Sequence, residues 1–140
     1  MGYRFLDHTA DIAVEVTADS LEKLFETAAY AWREAVIEIT GEGEKEKRIY
    51  LAESTLELLL VNFLDELNYL LNTRRWVFDS IASIKITGAP GDWNLNSLTR
   101  GTDLENAEYL LKEEIKAVTF HQMYIQEIDN QYTTRIVFDI

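Results

Sequence analysis

Leu56-Glu57-Leu58-Leu59-Leu60-Val61-Asn62-Phe63-Leu64-Asp65-Glu66-Leu67-Asn68-Tyr69-Leu70-Leu71 is the stretch whose reading decides the fold. Leu56, Leu59, Leu60, Phe63, Leu64, Leu67, Leu70 and Leu71 recur in steps of three and four, which puts them on one side of an α-helix. That side is broad, so the helix needs an extended surface to cover it, and a β-sheet supplies one. Ser54 followed by Glu57 reads as a capping box at the helix start. Asn62, Asp65, Glu66 and Asn68 fall on the polar side, and Asp65-Glu66 reads as a solvated face. Neighbouring residues on a helix point about 100° apart, so these two acids cannot form the close carboxylate dyad of a glycosidase.

A second helix precedes this one. Asp19 is its expected N-cap, with Glu22 three residues on, and Leu21, Leu24, Phe25, Ala28, Ala29, Trp32 and Val36 follow at helical spacing. Its expected end is near Ile39, before Gly41 and Gly43. The remaining pattern is strand-like. Residues 3–5 form a short strand, and Ile12, Val14 and Val16 alternate with Ala13, Glu15 and Thr17. Residues 7–11 lie between them as a loop or strand entry, a common home for functional groups. Residues 48–52, 76–79 and 84–87 are further strands, with 42–47 as an exposed turn. Ala89-Pro90-Gly91-Asp92 is a turn, and a bulge near Asn96-Ser97 would explain a slip in the alternation after Trp93 and Leu95. Residues 103–112 fit either a helical turn or an irregular loop. Residues 115–127 read as one long strand, turning at Asp129-Asn130-Gln131 into 132–140, with Asp139 on the opposite face from Phe138 and Ile140.

A chain of 140 residues is the length of one domain, spanning 1–140, and buries roughly two thirds of its unfolded surface. The absence of cysteine excludes a disulfide scaffold, a zinc-thiolate site and a cysteine nucleophile. Acids outnumber bases 25 to 13, a net charge of −12, which argues against unassisted nucleic-acid binding and toward a basic protein or a cation as partner. No secretory signal is legible at the N-terminus, and Phe5-Leu6 does not supply the hydroxyl residue that myristoylation wants. No apolar run approaches the roughly 20 residues of a membrane span. A soluble, cytoplasmic protein is expected.

Four segments carry a resemblance: Phe5-Leu6-Asp7-His8-Thr9-Ala10-Asp11, Phe63-Leu64-Asp65-Glu66-Leu67, Ile115-Lys116-Ala117-Val118-Thr119-Phe120-His121 and the closing Val137-Phe138-Asp139-Ile140. In order and spacing they resemble the archease family along the whole chain. The resemblance implies an α+β fold, one compact domain with two amphipathic helices packed on mixed or antiparallel β-sheet structure. It implies an accessory protein rather than an independent enzyme. The partner it implies is the GTP-dependent RNA ligase of the RtcB type, which joins tRNA halves. The help consists of promoting guanylylation of the ligase's active-site histidine, supporting multiple turnover and broadening the nucleotide used. A chaperone-like role toward a tRNA cytosine methyltransferase is also implied. So is a metal site, with calcium, at Asp11, Asp139 and Ile140. Charge reasoning agrees with those positions. Termini of single domains often lie close together. Two carboxylates about 4 Å apart cost roughly 4 kcal/mol at an effective dielectric of about 20, a penalty that a hard, oxygen-ligated divalent cation removes.

One stretch departs from the family pattern. Gly101-Thr102-Asp103-Leu104-Glu105-Asn106-Ala107-Glu108-Tyr109 lacks the family's proline, and Tyr109 takes the position of a histidine. His8 and Lys116 are the candidates for acting on the partner. Each has a plainer reading, His8 as a hydrogen-bonded structural residue and Lys116 as a surface lysine or a partner of Glu114. His121 reads as structural, and Trp32, Trp76 and Trp93 as packing residues rather than a base-stacking platform. An alternative is a small metal-dependent hydrolase built on Asp7, His8 and Asp11. Against it, no phosphate-binding loop, Ser-His-Asp arrangement or zinc-ligand spacing is present.

Overall fold

In the computed structural model, which describes residues 2–6, 11–41, 43–120 and 123–140, the leucine-rich stretch is helix α2, Leu56–Arg74, and the helix before it is α1, Leu21–Val36. Both start one residue later than expected. Ser20 Oγ accepts from the Lys23 N–H at 3.1 Å, and Thr55 Oγ1 accepts from the Leu58 N–H at 3.1 Å. The caps are therefore Ser20 and Thr55, not Asp19 and Ser54. The glutamates assigned to capping boxes turn outward instead. Glu22 Oε2 accepts from the Ile86 N–H at 3.1 Å, and Glu57 Oε2 accepts from the Ile125 N–H at 3.0 Å. The local pattern admits either cap, and the strands beside the helices decide between them by offering unpaired N–H groups that need an acceptor.

Among the described residues ten strands follow chain order: β1 Gly2–Leu6, β2 Asp11–Ala18, β3 Ile37–Thr40, β4 Lys45–Glu53, β5 Trp76–Ala89, β6 Asp92–Asp103, β7 Glu108–Leu111, β8 Ala117–Thr119, β9 Ile125–Ile128 and β10 Gln131–Asp139. Their pairings are antiparallel. One sheet runs β1-β2-β10-β8, with β9 also on β10; a second is β4-β6-β5; the third is the pair β3-β7. Helix α1 packs on β2 and β5, and α2 on β4, β5 and β8. Trp32, Trp76, Phe25, Phe63, Phe78 and Phe138 are fully buried in one continuous apolar core, and Trp93 packs against it partly buried. The tryptophans are packing residues, as expected. This is the α+β arrangement of two helices on antiparallel sheet. Among the described residues no helix is long and apolar enough to cross a membrane.

Several boundaries move. Helix α1 stops at Val36 because residues 37–40, expected to be helical up to Ile39, pair with β7 instead. Residues 45–47, expected in a turn, belong to β4 and pair with β6. The separate strands 76–79 and 84–87 are one strand with register shifts between Phe78 and Ser80 and between Ile81 and Ser83. The irregularity lies there and not at Asn96-Ser97. Strand β6 keeps its alternation, and Ser97 and Thr99 take the buried positions that the alternation assigns to apolar residues. Their hydroxyls donate to Ser83 O at 3.2 Å and Lys47 O at 2.8 Å, which makes burying them tolerable. Residues 103–112 resolve into a 3₁₀ turn, Leu104–Asn106, followed by β7. The long strand expected at 115–127 is two short ones, β8 and β9. The two hairpin turns are as read. Gly91 has φ 94° after Pro90, and Asp129 and Asn130 have φ 53° and 62°, the paired left-handed residues of a type I′ turn.

Candidate functional site

Asp11 is the first residue of β2 and Asp139 the last of β10, and the antiparallel register sets them directly opposite each other. Side chains of directly opposed residues leave a sheet on the same face. Phe138, on the other face, is fully buried against the helices, and Asp139 is exposed. Ile140 follows at once and is 37% exposed, so the terminal carboxylate can reach the same end of the sheet. The three expected positions therefore share one end of β2 and β10.

Strand β8 brings Lys116 to the same place. Ala117 pairs with Asp139, and the Lys116 N–H donates to the Asp139 carbonyl at 2.7 Å. Lys116 stands just before the strand rather than within it, and its side chain is exposed. Among the described residues it makes no ion pair with Glu114.

The polar side of α2 explains how this segment is held. Asn68 is buried, accepts from Trp32 Nε1 at 3.0 Å and donates to the Ile115 carbonyl at 2.8 Å. Asp65, one turn earlier, accepts from the Val118 N–H at 3.1 Å. Burial raises the Asp65 pKa above the ordinary carboxylate range, and the Val118 N–H pulls it back. Asn62 donates to Glu53 at 2.6 Å. These residues are not the solvated face expected of them. Asp65 and Asn68, three residues apart, grip the backbone on both sides of Lys116, and Ile115 and Val118 are buried beside it. Asp65 also occupies an outward N–H of the edge strand β8, which shields that edge. Spacing carried a signal for this: two polar residues at i and i+3 beside an apolar stripe can be anchors as well as a wet face.

Asp7, His8 and His121 lie outside the described residues. Tyr109 sits on β7, in the two-stranded sheet rather than beside Asp139. Arg75 Nη2 donates to its hydroxyl at 3.0 Å, at a cavity of about 550 Å³ bordered by Lys45, Arg74, Asp103 and Glu105.

Two carboxylate side chains and a terminal carboxylate would supply an all-oxygen donor set, which suits calcium or magnesium rather than zinc. Among the described residues no group of three His, Cys, Asp or Glu side chains converges, so a cation at Asp11 and Asp139 would depend on the Ile140 carboxylate as third protein ligand. The donor chemistry fits a hard cation at an open, water-accessible site.

Residues 3–140 match the model of the archease protein family. The chain is 36% identical over 142 residues to protein archease of Archaeoglobus fulgidus, covering 100% of both chains. It is 32% identical to protein archease of Methanosarcina mazei, over 99% of this chain and 95% of that one. The solution structure of Methanobacterium thermoautotrophicum protein 1598 superposes with a TM-score of 0.83 at 28% identity, covering 99% of each chain. The crystal structure of a Thermotoga maritima archease, described as a possible chaperone, shares the fold with a TM-score of 0.61 at 24% identity over 96% and 94% of the two chains. The match runs through both helices and all three sheets to the paired ends of β2 and β10, and the chain belongs to the archease family.

Proposed function

We propose that this chain is an accessory protein that docks on a GTP-dependent RNA ligase of the RtcB type and promotes guanylylation of the ligase's active-site histidine. The observation that carries the reading is the archease-family match over residues 3–140, and the placement of Asp11, Asp139 and Ile140 at one sheet end with Lys116 pinned alongside supports it as the point of action. Asp11, Asp139 and the Ile140 carboxylate would hold a calcium ion, whose two positive charges would offset most of the three negative charges at that end of the sheet. Lys116, exposed on a backbone fixed by Asn68, Asp65 and Asp139, presents a point charge to an anionic group in the partner's pocket. Nothing in this role requires the chain to carry a nucleophile of its own. His8 belongs to the same proposal as a second contact, from outside the described residues.

The test is guanylylation of the cognate ligase with GTP alone, without RNA. This protein is expected to raise the rate and allow multiple turnover. Lys116→Ala should lose at least about tenfold of the stimulation while unfolding normally, since an exposed lysine contributes little to stability. Unchanged rate and turnover with the native protein would refute the reading.

A second reading is favoured by the net charge of −12: a chaperone-like partner for a basic RNA-modifying enzyme such as a tRNA cytosine methyltransferase. It predicts salt-sensitive binding to the methyltransferase and no effect on the ligase, and a complex unchanged at high salt would refute it. The hydrolase alternative rests on Asp7, His8 and Asp11, of which the first two lie outside the described residues, and no observation among the described residues adds to it.

A further inference from the structure

The outer face of the β4-β6-β5 sheet is cationic on a strongly acidic chain. Register places Tyr50, Asn96 and Lys85 in one row across the three strands, with Arg48 and Arg100 in the following rows of the same face and Asn94 in the row before. All six residues are exposed. Tyr50 is 69% exposed, the largest exposure among the large hydrophobic side chains described. The guanidinium of Arg48 lies 5.9 Å from its ring centre and donates to Asn96 Oδ1 at 2.7 Å. That leaves the Asn96 Nδ2 donors without a protein acceptor among the described residues, and Arg48 joins the ring to the amide. Glu46 is the one acid on these rows, 3.2 Å from Arg100 Nε. A shallow depression of about 440 Å³ lies over the face between Tyr50, Lys85, Asn94 and Asn96.

The geometry points to single-stranded RNA as the ligand of this face, with a base stacked on Tyr50, base edges meeting Asn96 and Asn94, and phosphates meeting Arg48, Lys85 and Arg100. Three cations against one acid give the patch the sign an anionic backbone needs, although the whole chain has the opposite one. Successive rows on one face are about 6.8 Å apart, a spacing that an extended strand of nucleotides can follow. An exposed aromatic ring accepts any base because every base has a π-face, and the amides supply donors and acceptors for unpaired base edges. An acidic peptide would use the cations but has no base to stack on Tyr50. The net charge describes the average surface, and the local sign on this sheet face is the opposite one. Only the choice of RNA over DNA rests on the ligase reading above.

The experiment titrates the isotope-labelled full chain with a short oligouridylate at low salt and follows amide shifts. Saturable shifts are expected at residues 46–52, 83–87 and 94–100. Tyr50→Ala should weaken binding at least about fivefold and Tyr50→Phe should keep it, because stacking needs the ring and not the hydroxyl. Lys85→Gln should lower the salt slope by about 0.7. The side chains are exposed, so the variants should melt as the native protein does. Absence of saturable shifts overturns the inference. So does equal binding of polyphosphate or a glutamate peptide with Tyr50→Ala unchanged, which would mark a general anion surface, and so does equal binding of the matching oligodeoxyuridylate. Guanylylation measured without RNA is independent of this result, so either reading can fail alone.

Discussion

Truncating Asn68 to alanine tests how the site is held. Its amide joins three elements: the oxygen takes the Trp32 indole N–H of α1 at 3.0 Å, and the nitrogen serves the Ile115 carbonyl ahead of β8 at 2.8 Å. Asn68 is 7% exposed, and both its partners are 1% exposed or less, so water does not readily replace the lost bonds. Each orphaned group costs roughly 1–3 kcal/mol. The expected loss is about 2–6 kcal/mol, a large share of the roughly 5–15 kcal/mol that stabilises a domain. Urea unfolding should show a lower midpoint with an unchanged slope. Amide exchange at Lys116 and Val118 should quicken beyond what global destabilisation explains, because the carbonyl that anchors the segment is released. Glu66→Ala, on the same helix, should stay within about 0.5 kcal/mol. A loss under about 1 kcal/mol for Asn68→Ala, or unaltered local exchange, would refute the view that this residue fixes Lys116.

Other perturbations separate the remaining claims. Burial raises the Asp65 pKa, so the folded chain keeps a proton that the unfolded chain has lost, and stability falls as pH rises from the usual carboxylate value through the raised one. Asp65→Asn keeps an acceptor for the Val118 N–H without the charge, so its stability relative to native should rise with pH across that window; a gap that shrinks there would refute the argument. Asp65→Ala orphans that N–H and should cost about 1–3 kcal/mol by denaturant titration. Ser20→Ala should cost about 1 kcal/mol and Asp19→Ala clearly less, and reversed costs would restore the cap at Asp19. Calcium at about 100 times its dissociation constant should stabilise the native chain by about 2.7 kcal/mol and leave Asp139→Asn unmoved, as read from melting with and without chelator; equal shifts would remove the ion from these ligands.

Both helices, the Pro90-Gly91 and Asp129-Asn130 turns and the strands at 12–17 and 132–140 are legible in the amino-acid order. Each rests on a local period or a turn preference strong enough to survive tertiary context. The polar residues whose roles differ from the local pattern share a cause. Glu22 and Glu57 looked like capping residues, Asp65 and Asn68 like a wet face, and Ser97 and Thr99 like a break in phase. Each is a polar side chain that bonds a group at least 14 residues away in the chain, Ile86, Ile125, Val118, Ile115, Ser83 and Lys47 respectively. Local periodicity sorts residues by polarity and cannot tell a solvated polar group from a satisfied buried one.

The candidate site divides in the same way. Composition and pattern sufficed for the element types, the apolar core and the acids at the two ends of the chain. Only the three-dimensional arrangement could set Asp11 against Asp139, bring Lys116 beside them and collect Arg48, Tyr50 and Lys85 on one sheet face. Register is the physical reason. A shift of one residue between strands sends every side chain to the opposite face, and the choice is made by which inner residues can be buried together, a property of the packed core rather than of any single segment.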